Sequence, residues 1–217
     1  MRATGGVGMG ARYNTIAGQS VERLAALSDG LFAVAMTLLV LDLKVPAAQA
    51  ITTDRALLVA LEDLAPRLVI YLMSFLTLGI FWVGQQTQLS HFARSDRHLT
   101  WIHLAFPFTI SLTPFSTALM AEFITLKTAL LLYWLNILAF GALLLASWRY
   151  AKYAGLVETG VAAMIDLSVE RRIFVAQALY LFGAALCVFG TYWSIGFIIL
   201  VQLNYVVGPR IGVLGRI

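Results

Sequence analysis

The stretch Ile173 to Pro209, IFVAQALYLFGAALCVFGTYWSIGFIILVQLNYVVGP, holds 37 residues and not one charge. As a single helix it would reach about 55 Å, against a bilayer core of about 30 Å. It therefore predicts two membrane-crossing helices that fold back on each other. The reversal is expected around Gly190-Thr191-Tyr192-Trp193-Ser194-Ile195-Gly196, where glycine permits a turn and the Tyr-Trp pair suits the water–lipid interface.

Working back toward the N-terminus, four more charge-poor stretches precede this one. They are Leu24 to Leu41 (interrupted only by Asp29), Leu68 to Ser90, Leu99 to Ala121 (with His103, Pro107 and Pro114) and Thr128 to Trp148. The fold class expected is an all-α integral membrane protein of six spans. The composition agrees: 60% of the 217 residues are hydrophobic and 12% charged, with a mean hydropathy of +0.85. A soluble domain carries about 25% charged residues, so a soluble enzyme is excluded. The net charge of +4 invites a nucleic-acid reading, but the basic residues sit at the ends of apolar runs and form no patch. Cys187, alone and inside an apolar run, is expected to be a small buried residue and neither a metal ligand nor half of a disulfide.

Six spans put both termini on one side. That side collects Arg2, Arg12, Arg23, Arg94, Arg97, Arg149, Lys152, Arg171, Arg172, Arg210 and Arg216, eleven in all, against Lys44, Arg55, Arg67 and Lys127 on the other. The excess predicts cytoplasmic termini. Residues 1–20 lack an apolar signal-peptide core and read as a flexible cytoplasmic arm, 21–212 as one six-helix transmembrane domain and 213–217 as a tail. Between the first two spans, Thr53 to Ala65 reads as a separate amphipathic helix with Thr53 as its cap. Pro66 would end it or bend it into the second span.

The residues that could carry function lie mainly in the first span. Asp29 is an ionisable group inside a membrane helix, which marks function by default. With Arg23 and Ser28 it makes a polar cluster, but Arg23 and Asp29 lie about 120° apart around the helix and each needs a partner elsewhere. Away from Ser28 and Asp29, the residues Leu27, Gly30, Val34, Thr37, Leu38 and Leu41 fall within about 60° of Val34. Periodicity alone makes this aliphatic stripe a face toward lipid or core. Gln85, Gln86 and Asn136 are suited to bonds between helices. His91 and His98 sit at a loop, and no nucleophile set, HExxH or phosphate loop occurs.

Arg23-Leu24-Ala25-Ala26-Leu27-Ser28-Asp29, opening the first span, resembles the Arg-x-x-x-Phe-Ser-Asp signature of the endosomal and lysosomal potassium channel family, transmembrane protein 175. Gly30 to Leu41, Phe81-Trp82 and Leu112 to Leu119 are also similar to that family. With one six-span unit, the chain looks like the bacterial members, which implies a multi-pass protein of the bacterial inner membrane. The resemblance implies a homotetramer whose central pore is lined by the first helix, passing potassium ions with no cofactor, no metal and no nucleic-acid partner. Carried over by position, Val34, Leu38 and Leu41 are the pore constriction and Thr37 a polar layer beside them. Arg23, Ser28 and Asp29, with Gln85 and His103, are the polar network that anchors the pore helix. Leu27 replaces the signature phenylalanine, Gln85 and Gln86 stand where histidine is expected, and His103 where asparagine is expected. Two other readings are a proton-coupled secondary transporter using Asp29 and a non-conducting membrane scaffold.

The charge count makes a direct prediction. In whole cells, a reporter at the C-terminus reads cytoplasmic and a tag between Thr53 and Ala65 reads external. A C-terminal tag reached from outside intact cells would refute this topology.

Overall fold

The computed structural model describes residues 20–47, 51–158 and 160–208; the arm expected over 1–20, Ser20 apart, and the tail over 213–217 lie outside them. Helix α1 runs Val21–Leu38, capped by Ser20, whose hydroxyl accepts from the Arg23 N–H at 3.2 Å, and it tightens into a 3₁₀ turn at Leu39–Asp42. Helix α2 spans Asp54–Leu89, α3 Arg97–Glu122, α4 Lys127–Tyr153, α5 Val161–Ala185 and α6 Thr191–Val207. Five of these are long and apolar enough to cross a membrane, the fifth counted from Asp166 to Val188. The sixth, α6, is a shorter apolar helix of 17 residues and rises about 26 Å.

Two expectations are corrected. The separate helix over Thr53 to Ala65 does not exist as such. Thr53 caps as expected, accepting from the Ala56 N–H at 3.2 Å, but the helix it opens continues unbroken through Pro66 for 36 residues. Pro66 removes one bond from a long ladder, and Glu62, which loses its amide partner, is exposed where water can replace it. The next residue, Arg67, pairs with Glu122 at the end of α3 at 2.7 Å, tying the N-terminal part of α2 to the bundle. The second correction concerns the fold-back. It occupies Leu186 to Gly190, a 3₁₀ turn ending on a glycine with φ 157° and ψ 148°. Tyr192 and Trp193 belong to the first turn of α6, with their rings exposed.

Pro107 and Pro114 also sit inside an unbroken helix, α3. That helix lies between α1 and α4, while α5 packs on α4 and α6, and α6 returns to α2. An aromatic chain crosses the centre. Phe32 of α1 meets Phe106 of α3 at 6.2 Å between ring centroids, Phe106 meets Phe140 of α4 at 5.3 Å, and Phe140 stacks on Phe81 of α2 at 4.8 Å. Charges collect at the helix ends. Arg149 pairs with Glu170 at 2.9 Å and Lys152 with Asp166 at 2.5 Å, joining α4 to α5 on the side where α1 starts. Cys187 is buried and unbridged, as a lone apolar-run cysteine should be.

The turn at Gly190 makes two spans out of one apolar run, and its backbone conformation belongs to glycine. Gly190→Ala is expected to cost about 1–3 kcal/mol. Gly196→Ala, inside α6 with open space around a new Cβ, should gain about 0.5–1 kcal/mol. Melting in detergent, followed by tryptophan fluorescence, should separate the two, and equal melting temperatures would contradict this account of the turn.

Candidate functional site

Helix α1 has two faces of different fate. Leu24, Ser28, Phe32, Ala35 and Leu39 are buried, a three-to-four-residue repeat pressed on α3 and α2. The opposite face stays open. Leu27 is 44% exposed, Val34 52%, Leu38 43% and Leu41 70%, and Gly30 and Thr37 lie among them. Leu41 belongs to the 3₁₀ turn beyond the helix. Thr37 donates its hydroxyl hydrogen to its own helix, at 2.8 Å from the Val34 carbonyl and 3.1 Å from that of Ala33. Its oxygen lone pairs are left for whatever faces the stripe.

What fixes this rotation of α1 is a set of polar bonds buried behind the stripe. Ser28, 1% exposed, accepts at 3.1 Å from the side-chain amide of Gln85 on α2, which is wholly buried. The same amide nitrogen makes a long 3.5 Å contact with Nδ1 of His103 on α3, and the other ring nitrogen lies 3.0 Å from Ser147 Oγ on α4. Four helices are thus threaded by one line of side chains. With the amide N–H aimed at Nδ1, the ring hydrogen belongs on Nε2 and is donated to Ser147. Beside this line, at the exposed edge, Asp29 accepts from Trp82 Nε1 at 2.7 Å and from the amide of Gln86, so the carboxylate clamps α1 to α2. A groove of about 640 Å³ opens next to it, with Phe75, Trp82, Arg172 and Tyr205 among its walls.

Ser28, Asp29, Gln85 and His103 are therefore brought together, while Arg23 is not joined to them. Its side chain is exposed and has no partner among the described residues. Three participants lay outside the sequence-based set: Trp82, Gln86 as the partner of Asp29, and Ser147. Gln86 was legible as a bonding amide but not its partner; Trp82 stood out only within the Phe81-Trp82 resemblance and without a role, and for Ser147 nothing short of the helix register could have pointed to it.

A second polar layer, deeper in the span, was missed except for Asn136. Tyr133 of α4 shares hydrogen bonds with Thr77 at 2.8 Å and Ser74 at 3.4 Å on α2. Thr117 of α3 donates to Ser74 at 2.8 Å, and the Gln202 amide of α6 donates to Thr77 at 2.6 Å. Asn136 donates to Thr113 at 2.9 Å and to Ser116 at 3.3 Å, so it bonds between helices in the way its residue type suggests. Hydroxyl residues recurring in apolar helices were the available signal. Among the described residues no cluster of three or more His, Cys, Asp or Glu could hold a metal ion.

The comparisons with known proteins bear on this arrangement. The model of the family described as "Endosomal/lysosomal potassium channel TMEM175" matches residues 23–114, which include every contact of the α1 clamp except Ser147. A potassium channel of Streptomyces collinus is 40% identical over 102 residues, 47% of this chain and about half (48%) of that protein. A potassium channel of Chamaesiphon minutus is 30% identical over 179 residues, 80% of this chain and 87% of its own length. This chain belongs to the TMEM175 family. The fold agrees with the family. The crystal structure of a lysosomal potassium-selective channel TMEM175 homolog from Chamaesiphon minutus superposes with a TM-score of 0.74 at 26% identity, covering 86% of this chain and 96% of that one. Vertebrate TMEM175 relatives with weaker matches are named endosomal/lysosomal proton channels.

The line Ser28–Gln85–His103 can be tested apart from transport. Gln85→Leu leaves the Ser28 hydroxyl and the His103 ring without a buried partner and should lower stability by about 1–3 kcal/mol. Combined with Ser28→Ala, the loss should fall short of the sum of the single losses by about 0.6–1.7 kcal/mol, the range of coupled side-chain hydrogen bonds in membranes. Strictly additive losses in detergent unfolding would mean that the two side chains do not support each other.

Proposed function

We propose that this chain is a cation channel with a preference for potassium, acting as a homotetramer in which four copies of α1 surround the pore. The observation that carries the reading is the open face of α1. An aliphatic stripe with one hydroxyl stays exposed although the other side of the same helix is locked in place by buried polar bonds. Lipid could cover such a stripe, but a rotation set by buried amide and carboxylate contacts is more than a lipid-facing helix needs. Membership of a family whose bacterial relatives are named potassium channels supports conduction. The charge count supports cytoplasmic termini in a bacterial inner membrane.

In this reading Val34, Leu38 and Leu41 form the constriction. Rings of aliphatic side chains offer no oxygen to replace an ion's hydration shell, so a narrow ring closes by excluding water. Thr37 supplies the one oxygen layer on the stripe, with its hydrogen already committed to Val34. Asp29, turned from the stripe toward Trp82 and Gln86, holds the pore helix and does not meet the ion. Arg23, exposed at the cytoplasmic end, would find its partner on another subunit.

Flux from liposomes loaded with potassium tests this. A pH-sensitive dye should report proton uptake only when a protonophore supplies a return path, the sign of uncoupled potassium leak. Uptake without the protonophore, abolished by Asp29→Asn, would instead favour proton movement through the protein, whether by conduction or by a coupled transporter. In the same assay Leu38→Ala should raise the rate severalfold and weaken discrimination against sodium, whereas Thr37→Val should reduce potassium preference without opening the gate. Two silent variants would remove the stripe from the permeation path.

A further inference from the structure

Helix α5 packs on α4 and α6, and a crevice remains between α5 and α2. Its cavity measures about 120 Å³, and its walls are largely apolar, among them Ile80, Val83, Leu144, Ile173 and Ala176. Two glycines shape it. The methylene chain and amide of Gln177 occupy the space where a Cβ on Gly141 would stand, and a Cβ on Gly84 would touch Leu144. Along α5 the lining from Arg172 at the mouth to Tyr180 rises about 12 Å. That is most of one leaflet of a hydrocarbon core about 30 Å thick.

The mouth is polar and unbalanced in charge. Arg149 and Lys152 are each paired with acidic residues of α5, but Arg172, exposed on that helix, has no ion-pair partner among the described residues. It borders both this crevice and the groove beside Asp29. Three bonds set its level. Arg149 bonds to Glu170, Gln177 to the Ile137 carbonyl, and Gln88 to the Leu144 carbonyl. Arg172, two residues beyond Glu170, therefore stands near the level of Leu144 and Gln88. Gln88 also lines the crevice, is 4% exposed, and its Oε1 has no partner among the described residues. One strong cationic donor stands at the mouth, and one free acceptor is buried in the wall of an apolar slot most of a leaflet deep.

We propose that this crevice holds one anionic phospholipid, with its phosphate on Arg172 and one acyl chain between α2 and α5. The charge selects an anion, the depth selects an acyl chain, and a basic pocket between helices at the membrane surface is the recognised setting for such lipids. The site rests on the chain spanning the membrane and stands whether or not the protein conducts.

Native mass spectrometry of the delipidated full chain, mixed with phosphatidylglycerol or phosphatidylcholine of the same acyl length, reads the site directly. The wild type should retain the glycerol lipid about fivefold better, the weight of one basic residue facing an anionic headgroup. Arg172→Gln should bring the two lipids level, whereas Arg171→Gln, next to it but outside the crevice, should keep the preference. Ala176→Phe fills the slot and should reduce retention of both lipids; should that variant aggregate, the two arginine variants decide alone. Equal binding of both lipids by the wild type, or equal effects of the two arginine variants, would overturn the proposal in favour of general surface charge. Full retention by a soluble Ala176→Phe protein would overturn the placement in the crevice.

Discussion

The amide of Gln85 governs much of what the other parts do. A helix coated in aliphatic side chains has no preferred rotation in a bilayer, because lipid tails are as apolar as leucine. Ser28 gives α1 one polar point on an otherwise apolar buried face, and Gln85, anchored within α2, receives it. In hydrocarbon an unsatisfied hydroxyl or amide is costly, so the bond acts less through its own strength than through the penalty of every rotation that breaks it. Asp29 adds a second point one residue further around the helix, on Trp82 and Gln86. Two adjacent polar residues gripping one neighbouring helix define an angle as well as a distance.

His103 extends that control to the rest of the bundle. It passes the contact from α2 to α4 through Ser147, while the aromatic chain Phe32–Phe106–Phe140–Phe81 ties the same four helices one layer deeper. Deeper still, Tyr133, Thr77 and Gln202 bring in α6. The bundle is thus organised in strata, polar then aromatic then polar, and α1 takes part only in the first two. Its outward stripe is free of these strata.

The number of helices was readable because a bilayer imposes one length scale on every apolar run, and a run of twice that length must turn. The exposed stripe was readable as a periodicity but not as an exposed surface, since the same spacing serves a core. The continuity of α2 was not readable. Pro66 is a reliable punctuation mark in water-soluble helices, and only Arg67 meeting Glu122 shows where the chain beyond it is tied to the bundle. Partners across helices were the hardest part. That Asp29 needs a bond follows from one residue and its surroundings, but that Trp82 and Gln86 supply it depends on how α1 and α2 slide and roll against each other. No single helix encodes that register.

The unbroken 36-residue span of α2 has a mechanical consequence. A rod about 54 Å long extends well past a hydrocarbon core about 30 Å thick. Its far end stands in water, while Trp82, Gln85 and Gln86 near the opposite end grip α1. Two helices joined at a break could move separately, whereas an unbroken helix makes the watery arm and the grip on α1 parts of one element.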